Sequence, residues 1–212
     1  MNKKKLRLIY WILRRLGLRS HQPVSQPQLV MWYVYDTISA LEPLPLRYKV
    51  RPFREGDQRG WADLLERNGQ LGRWDLPRVE GELGRALLPA GQFFVECEER
   101  IVACAGVYDR QRNDLACWEI GWIASDPEQA GMRLGRHATA AAVGYALTLP
   151  KRPIYLLTDD HRLPALKTYL KVGFTPDLSD RSYVGRWQLV FSALGHGYVE
   201  YLSDFTRRKE VL

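Results

Sequence analysis

The chain has 212 residues, of which 46% are hydrophobic and 26% charged, a composition that excludes a disordered chain and predicts a folded domain with one substantial core. Its net charge of +7 lies at one end, because residues 1–20 carry seven basic residues and no acidic one. The remaining residues contain equal numbers of basic and acidic side chains, so the charge does not predict a basic surface on the folded domain.

Residues 1–27 are interpreted as a basic arm and linker. Residues 1–20 alternate basic and large apolar side chains, and residues 21–28 are polar and contain prolines. A short amphipathic helix is predicted in the arm, because four apolar residues share one helical side: Leu6, Ile9, Leu13 and Leu16. Its role is open between contact with an anionic membrane, contact with RNA, and a solvated or self-docked extension.

Two features predict a cytoplasmic location. The apolar stretch Leu8–Leu13 is too short to span a bilayer or to form a good signal peptide. Cys97, Cys104 and Cys117 lack CxxC spacing and lie in strand-like segments, which indicates reduced and buried thiols in a reducing compartment.

The first part of the domain is predicted to contain short strands at 29–35 and 46–53, followed by a helix with Asp57 as its N-cap. Residues expected on the buried face of this helix are Trp61, Leu64 and Leu65. Residues 69–91 are rich in glycine and proline, which predicts a loop with a short helix.

Three strand-like segments follow at 92–97, 101–108 and 115–124, and the polar breaks between them predict an antiparallel meander. A helix then ends at Pro150. Its apolar face contains small residues that permit close packing on a sheet: Ala138, Ala141, Ala142, Tyr145, Ala146 and Leu149.

The last part of the domain is predicted to contain a strand at 154–158, a helix at 164–171 that ends at Gly173, and a final helix that reaches Gly195. The order includes a strand–helix–strand crossover, which is typical of a mixed α/β fold.

Residues 117–136 (CWEIGWIASDPEQAGMRLGR) join an apolar strand, a loop with glycines at 131 and 135, and the start of a helix. This order of elements suits phosphate binding, because the first amide groups of a helix lack partners and lie at its positive end.

Two motifs resemble the GNAT (Gcn5-related N-acetyltransferase) superfamily. Its acyl-CoA signature, R/Q-x-x-G-x-G/A, is similar to residues 130–135. Its second signature, A-x-x-x-Y-x-K-x-G-F, is matched in register by five residues: Ala165, Tyr169, Lys171, Gly173 and Phe174. The sequence EIGW at 119–122 also looks like the branch that acetylates protein N-termini.

The resemblance implies an α/β fold of the α+β type. Its sheet would be mixed, mostly antiparallel, six- to seven-stranded and flanked by helices. It would be splayed between strands four and five, here the segments 115–124 and 154–158. The acyltransferase domain would span 28–195, and residues 196–212 would form a C-terminal tail.

The first motif departs from the family at two positions. Ala130 replaces the family's Arg or Gln, and Arg133 replaces the middle glycine; in addition, Arg162 stands where many members have asparagine. We expect a side chain at 133 to be tolerated only if the backbone there needs neither positive φ nor the closest approach to phosphate. Arg133 and Arg136 would instead add charge-assisted hydrogen bonds to a diphosphate.

The resemblance also implies acetyl-CoA as the co-substrate and no metal. The pantetheine arm would pair with the strand edge at 123–125, the diphosphate would lie on the amides of 131–136, and an amide at Ile123 or Ala124 would polarise the thioester carbonyl. The cofactor-binding residues so implied are Ile123, Ala124, Ser125, Gly131, Met132, Arg133, Leu134, Gly135, Arg136, Arg162 and Tyr169.

Two residues are candidates for proton transfer. Tyr169 would donate a proton to the leaving thiolate, and its alternative is a packing tyrosine in the core. Glu119 would accept the proton of the attacking amine, and its alternatives are a solvated or ion-paired structural glutamate and a water chain. His137 and His161 are expected to cap helices or contact phosphate rather than to transfer protons.

The sequence therefore predicts an N-acyltransferase, most simply an acetyltransferase, that transfers its acyl group directly within a ternary complex. The acceptor is open between a small amine and a protein amine, because the charges of residues 55–91 are balanced. The alternative is a weak or inactive CoA-binding module whose basic arm docks on RNA, the ribosome or an anionic membrane. A homodimer is also open.

Overall fold

A computed structural model of the chain describes residues 27–86, 90–179 and 181–195. The basic arm, apart from residue 27, lies outside the described residues, and so does the tail at 196–212. The helix and the roles predicted for the arm therefore stay predictions.

The described residues form seven strands and five helices. In chain order they are β1 (Leu29–Tyr33), β2 (Tyr48–Pro52), α1 (Asp57–Asn68), α2 (Leu76–Leu83), β3 (Gln92–Cys97), β4 (Arg100–Arg112), β5 (Leu115–Ser125), α3 (Leu134–Thr148), β6 (Ile154–Thr158), α4 (Leu163–Val172), β7 (Phe174–Pro176) and α5 (Arg181–Leu194). A single 3₁₀ turn, Pro127–Gln129, connects β5 to the loop before α3.

All seven strands form one sheet in the order β2-β3-β4-β5-β6-β1-β7. Neighbouring strands are antiparallel except β5 and β6, which are parallel and pair only at Trp118 with Ile154 and at Glu119 with Tyr155. Beyond Glu119 the two strands separate and leave a wedge between them. The predicted mixed sheet, splayed between the segments 115–124 and 154–158, is confirmed.

β1 lies inside the sheet although it is the first strand of the described chain. It pairs antiparallel with the whole of β6, from Leu29 opposite Thr158 to Tyr33 opposite Ile154, and with β7 on its other side. Leu29 and Met31 are completely buried. The pattern of residues 29–35 predicted a short strand, but it did not predict this position between β6 and β7.

The hairpin between β4 and β5 is tighter than the polar break at 109–114 predicted. Both strands continue into the break, and only Asn113 and Asp114 form the turn, with φ values of 49° and 62°. Two-residue turns with positive φ match the twist of antiparallel strands, and Asn and Asp tolerate this conformation better than most residues.

Helices cover both faces of the sheet. α1 and α2 pack on one face. Their contacting side chains include those predicted for α1 and also Val79 and Leu83 of α2, and they meet sheet residues such as Phe94 of β3. α3, α4 and α5 pack on the other face, where alanines of α3 lie against sheet residues such as Ala105 and Ile120. Among the residues that the structure describes, no helix has the length and apolarity needed to cross a membrane.

Asp57 does not cap α1 as predicted. Gly56 occupies the N-cap position, and Asp57 is the first residue of the helix. Its carboxylate accepts hydrogen bonds from the Arg51 guanidinium at 2.7 and 2.8 Å and from the Arg54 amide at 2.6 Å. Arg51, which is 7% exposed, also contacts the Glu96 carboxylate. A buried guanidinium is costly unless it is paired with a charged group. The Asp57 carboxylate therefore binds Arg51 instead of capping the helix.

Candidate active site

β5 contains a β-bulge beside the wedge. Gly121 pairs with Gly106 and Ala124 pairs with Cys104, so Trp122 and Ile123 together oppose the single residue Ala105. Trp122 adopts a left-handed conformation with φ of 47°. A bulge of this kind bends the strand and re-aims its backbone groups, which is why bulges recur next to active sites.

The bulge sets the direction of the Ile123 amide. The Trp122 carbonyl accepts a hydrogen bond from Cys104 Sγ at 3.1 Å. Burial raises the pKa of Cys104 to about 12, so the thiol keeps its proton and can donate it. The carbonyl and the following N–H of a trans peptide point in opposite directions, so the Ile123 N–H points away from Cys104.

A cleft of about 170 Å³ lies at the C-terminal end of β5, between this strand and α4. Its lining contains six residues that were predicted as cofactor contacts, and these are Ile123, Ala124, Ser125, Gly135, Arg162 and Tyr169. Asn68, Gln70, Pro164, Ala165 and Thr168 complete the lining. The structure thus brings residues of both sequence motifs to one cleft.

Tyr169 faces this cleft from α4 and is only 1% exposed. Burial raises the pKa of Tyr169 to about 12, and the positive charge of Arg162 opposes this rise. The phenol therefore stays protonated at neutral pH. No hydrogen bond with another described residue occupies its hydroxyl, and its ring packs edge-on against Phe174. Tyr169 is therefore a buried core residue that borders the cleft, and its role as a proton donor stays a prediction.

The first turn of α3 leaves several amides without protein partners. Within the described residues, no acceptor takes the N–H groups of Gly131, Arg133, Leu134 and Gly135, whereas Met132 donates to Gln129 O and Arg136 to Arg133 O. α3 is 15 residues long, so its dipole adds positive potential at this end. These groups fit a diphosphate, as the sequence predicted for the segment 131–136.

The backbone conformation of Arg133 differs from the one expected from the sequence. We expected a side chain there only without positive φ, but Arg133 has φ of 59° and ψ of 22° at the N-cap of α3. The side chain pairs with Glu42, in the segment between β1 and β2, and both residues are largely exposed. The loop therefore keeps a left-handed, glycine-like backbone although glycine has been replaced.

A side chain at Gly135 would force the Ser125 side chain to move, because α3 lies close to the end of β5. A Cβ atom on Gly135 would lie 2.7 Å from Ser125 Oγ, which is too close for any real contact. Arg136, one residue further on, donates to Lys171 O near the end of α4 at 3.1 Å. The two contacts join the first motif to the strand end and to the second motif.

The surroundings of α3's first turn are electropositive. The pKa of His137 is lowered, chiefly by burial and further by the positive charges of Arg136 and Arg133. His161 is exposed in the turn after β6 and does not line the cleft. His137 therefore reports the electrostatic potential at the predicted diphosphate site.

Glu119 lies on the sheet face opposite Trp118 and Ile120, as alternation predicts, and both neighbours are buried in the core with α3. Its Oε2 accepts a hydrogen bond from the Tyr155 hydroxyl at 2.8 Å and lies 3.6 Å from Arg110 Nε. No described residue donates to Oε1.

Oε1 lies next to Gly121, where a Cβ atom would be 3.2 Å away. The absence of a side chain at this position leaves the oxygen accessible. Glu119 thus has the ion-paired arrangement that was the alternative to a catalytic base, and its role as a base stays a prediction.

Two residues of the site region were not identified from the sequence. Glu82 of α2 is 9% exposed and accepts a hydrogen bond from Trp122 Nε1 at 3.0 Å. The pattern of residues 69–91 predicted only a short helix and gave no sign that its carboxylate would meet β5. Trp122 belongs to the EIGW segment, but nothing in that segment indicated that the backbone of Trp122 would have positive φ.

The splayed sheet, the bulge and the amide-rich helix start define an α/β protein that can hold an anionic acyl carrier beside a strand edge. Residues 50–174 match the sequence model of the Acetyltransferase (GNAT) family. Because this match covers more than half of the chain, the protein belongs to the GNAT acetyltransferase family. The resemblance inferred from the two motifs is confirmed.

Proteins that are similar to this chain in sequence or in structure are also acetyltransferases. A mycothiol acetyltransferase from Acidimicrobium ferrooxidans is 30% identical over 145 residues, which cover 64% of this chain and 46% of the relative. A GNAT family acetyltransferase from Colwellia psychrerythraea superposes with a TM-score of 0.55 at 12% identity, covering 71% of this chain and 53% of that one.

A GCN5-related N-acetyltransferase from Sphaerobacter thermophilus gives a TM-score of 0.53 at 14% identity, covering 80% of this chain and 53% of that one. At such identities the structural matches show the shared fold alone. The chain spans about half the length of the curated relative that it matches.

A diphosphate bound at residues 131–136 should raise the pKa of His137, because its negative charge offsets Arg133 and Arg136. In the free protein this pKa lies below the ordinary value of 6.5. Between the two values the unfolded chain binds more protons, so the free energy of unfolding should increase with pH in that window. NMR titration of the His137 Cε1–H signal, assigned with His137→Gln, should show an upward shift of the pKa on saturation with coenzyme A. An unchanged titration would place the diphosphate elsewhere.

Proposed function

We propose that the protein is an N-acyltransferase that transfers an acyl group, most simply acetyl from acetyl-CoA, to a primary amine by direct attack in a ternary complex. The observation that carries this proposal is the convergence of three groups at the wedge. These are the re-aimed Ile123 amide, the protonated Tyr169 hydroxyl and the unpartnered amides at the start of α3.

The coenzyme diphosphate would bind to the amides of Gly131, Arg133, Leu134 and Gly135. The thioester end would then reach the cleft between β5 and α4. Arg162 lines this cleft and Arg136 lies near the end of α4, so both can add positive charge along the path.

The chemical step forms one carbon–nitrogen bond and breaks one carbon–sulfur bond. The neutral amine attacks the thioester carbonyl, and the Ile123 N–H donates to the oxyanion that develops on the carbonyl oxygen. As the intermediate collapses, Tyr169 donates its proton to the leaving thiolate, which becomes the thiol of coenzyme A, and the excess proton on the newly bonded nitrogen returns the Tyr169 phenolate to the phenol. A phenol that stays protonated at neutral pH is suited to this role.

The proton of the ammonium group is assigned to Glu119. Ile123 lies four positions after Glu119, a span on the order of 13 Å in an extended strand. This distance is too long for direct proton transfer. We therefore assign the proton transfer to a short chain of waters that ends at Glu119 Oε1. Tyr155 and Arg110 hold the other carboxylate oxygen and fix the direction of the side chain.

A second candidate function is a CoA-binding module with little or no activity. The observation that favours it is the ion pair between Arg133 and Glu42 beside the diphosphate site. A diphosphate would compete with this carboxylate for the guanidinium, and acetyl-CoA would bind more weakly as a result. The basic arm would then supply the function by docking on RNA or an anionic membrane.

Acetyl-CoA binding and thiol release distinguish the two candidates. A catalyst should show a rise in melting temperature with acetyl-CoA and should release thiol when small amines and peptides are added. Stabilisation without thiol release from any amine would favour the binding module. No stabilisation at millimolar acetyl-CoA would refute both.

Tyr169→Phe should lower kcat by about 10²-fold or more, because a positioned acid contributes 10²–10⁴-fold. The dissociation constant of acetyl-CoA should change little. Tyr33→Phe is a matched control, since this buried ring also packs against Phe174 and its hydroxyl donates only to Thr37 O at 2.8 Å. Equal kcat in the two variants would show that Tyr169 only packs.

Glu119→Gln should lower kcat/KM for the amine by about tenfold or more, because the amide retains the shape but loses basicity. Partial recovery at higher pH is expected, since more amine is then already neutral. Glu99→Gln, in the exposed turn between β3 and β4, serves as the control. A pH–rate profile that is identical in Glu119→Gln and the unmodified protein would remove the base assignment.

A further inference from the structure

We propose that Trp122 and Glu82 are positioning residues that hold the β5 bulge and thereby aim the Ile123 amide at the thioester carbonyl. This inference rests on the proposed acyl transfer and goes beyond it, because neither side chain belongs to the two sequence motifs. Trp122 would act through its backbone and Glu82 through Trp122, so neither is assigned contact with the reacting atoms.

The backbone of Trp122 is in a conformation that its side chain disfavours. A bulge with a left-handed first residue usually has glycine there, since a Cβ atom is unfavourable at positive φ. Trp122 has φ of 47°. Such a conformation persists only where the surrounding structure determines it, and it is concentrated at functional sites.

Three contacts determine the position of the Trp122 side chain. The indole N–H donates to Glu82 Oε2 at 3.0 Å. The ring meets Trp74 edge-on at a centroid distance of 4.6 Å and an interplanar angle of 80°. The Arg78 guanidinium lies 4.0 Å from the Trp74 ring centre and 5.6 Å from that of Trp122. All three partners belong to α2 or to the segment before it.

Glu82 is itself held in place. Its Oε1 accepts a hydrogen bond from Arg85 at 2.9 Å, and only Oε2 is used by Trp122. The helix that carries it begins at a capped residue, since the Asp75 side chain accepts from the Arg78 amide at 3.0 Å. The carboxylate is therefore a fixed point on a defined helix.

The backbone of Trp122 has a contact of its own. Its carbonyl accepts from Cys104 of β4, while its indole is held by α2. With both ends held, the peptide between Trp122 and Ile123 has one orientation. The same peptide carries the N–H assigned to the oxyanion. Loss of the indole contact should therefore move this donor without altering the diphosphate site at α3.

Two substitutions at position 122 test the proposal. Trp122→Phe keeps an aromatic ring near Trp74 but removes the N–H to Glu82. Trp122→Gly removes the anchor and suits positive φ, so this variant should fold even if the other is unstable. Trp118→Phe is the matched control, since Trp118 is on the same strand and its indole donates to Pro150 O at 3.1 Å, away from the bulge.

Both variants at 122 should lower kcat by about tenfold or more. The decrease should be smaller than the 10²–10³-fold loss that is typical when a whole oxyanion donor is removed. The dissociation constant of acetyl-CoA should stay within about twofold of the unmodified value, since the binding contacts at α3 are unchanged. Slow hydrolysis of acetyl-CoA without amine should fall by the same factor as aminolysis, since both pass through the same oxyanion. Trp118→Phe should change neither rate.

A spectroscopic readout separates positioning from stability. The carbonyl ¹³C resonance of bound [1-¹³C]acetyl-CoA should move toward its free-solution position in both Trp122 variants. A lower melting temperature with an unchanged resonance and unchanged kcat would show a merely structural role and overturn the inference. A higher KM for the amine with unchanged hydrolysis would assign Trp122 to acceptor binding and also overturn it.

The proposed function and this inference fail in distinguishable ways. An unmodified protein that turns over no acetyl-CoA overturns both. Normal turnover by the unmodified protein, together with variants at 122 that match Trp118→Phe, overturns the positioning role alone.

Discussion

β5 and β6 share only two residue pairs, Trp118 with Ile154 and Glu119 with Tyr155, before they diverge. In a closed sheet the backbone of residues 120–125 would be hydrogen-bonded on both sides. Here one side of that segment faces a cleft instead, and only the side toward β4 is paired. β6 stays attached to the sheet, because β1 pairs with its other edge over its whole length. The cleft, the bulge and the approach of α3 to Ser125 all follow from this partial separation.

Two non-glycine residues of the site, Trp122 and Arg133, have a left-handed backbone conformation. The contacts that stabilise this conformation differ in strength between them. A non-glycine residue in this conformation costs about 1–2 kcal/mol. At Trp122, a hydrogen bond to a buried carboxylate contributes about 1.5–3 kcal/mol and the edge-on ring pair adds about 0.5–1.5 kcal/mol. Those contacts offset the local cost. Arg133 has only an exposed ion pair with Glu42, worth about 0–1 kcal/mol. The rest of the loop must therefore hold Arg133, which agrees with the close packing of the next turn on β5.

The sequence predicted those features that depend on local chemistry. Gly135 and Tyr169 were identified from motif register, and the helix that carries Tyr169 ends at Gly173 as expected. Features that depend on tertiary contacts were missed. A tryptophan gives no local sign of positive φ, and the approach of Glu82 to β5 arises from the docking of α2. Asp57 shows the same limit, because its pairing with Arg51 joins β2 to α1 and replaces the cap that its position suggested.

The position of β1 between β6 and β7 has a consequence for synthesis on the ribosome. Its two neighbours, β6 and β7, are the last of the described strands to be made, so Leu29–Tyr33 must wait until residues 154–176 have been made before its backbone groups are paired. Contacts between such distant parts of a chain close slowly and expose apolar strand edges in the meantime. Until then the nascent protein carries an unpaired apolar strand that a chaperone or a misplaced neighbour could bind.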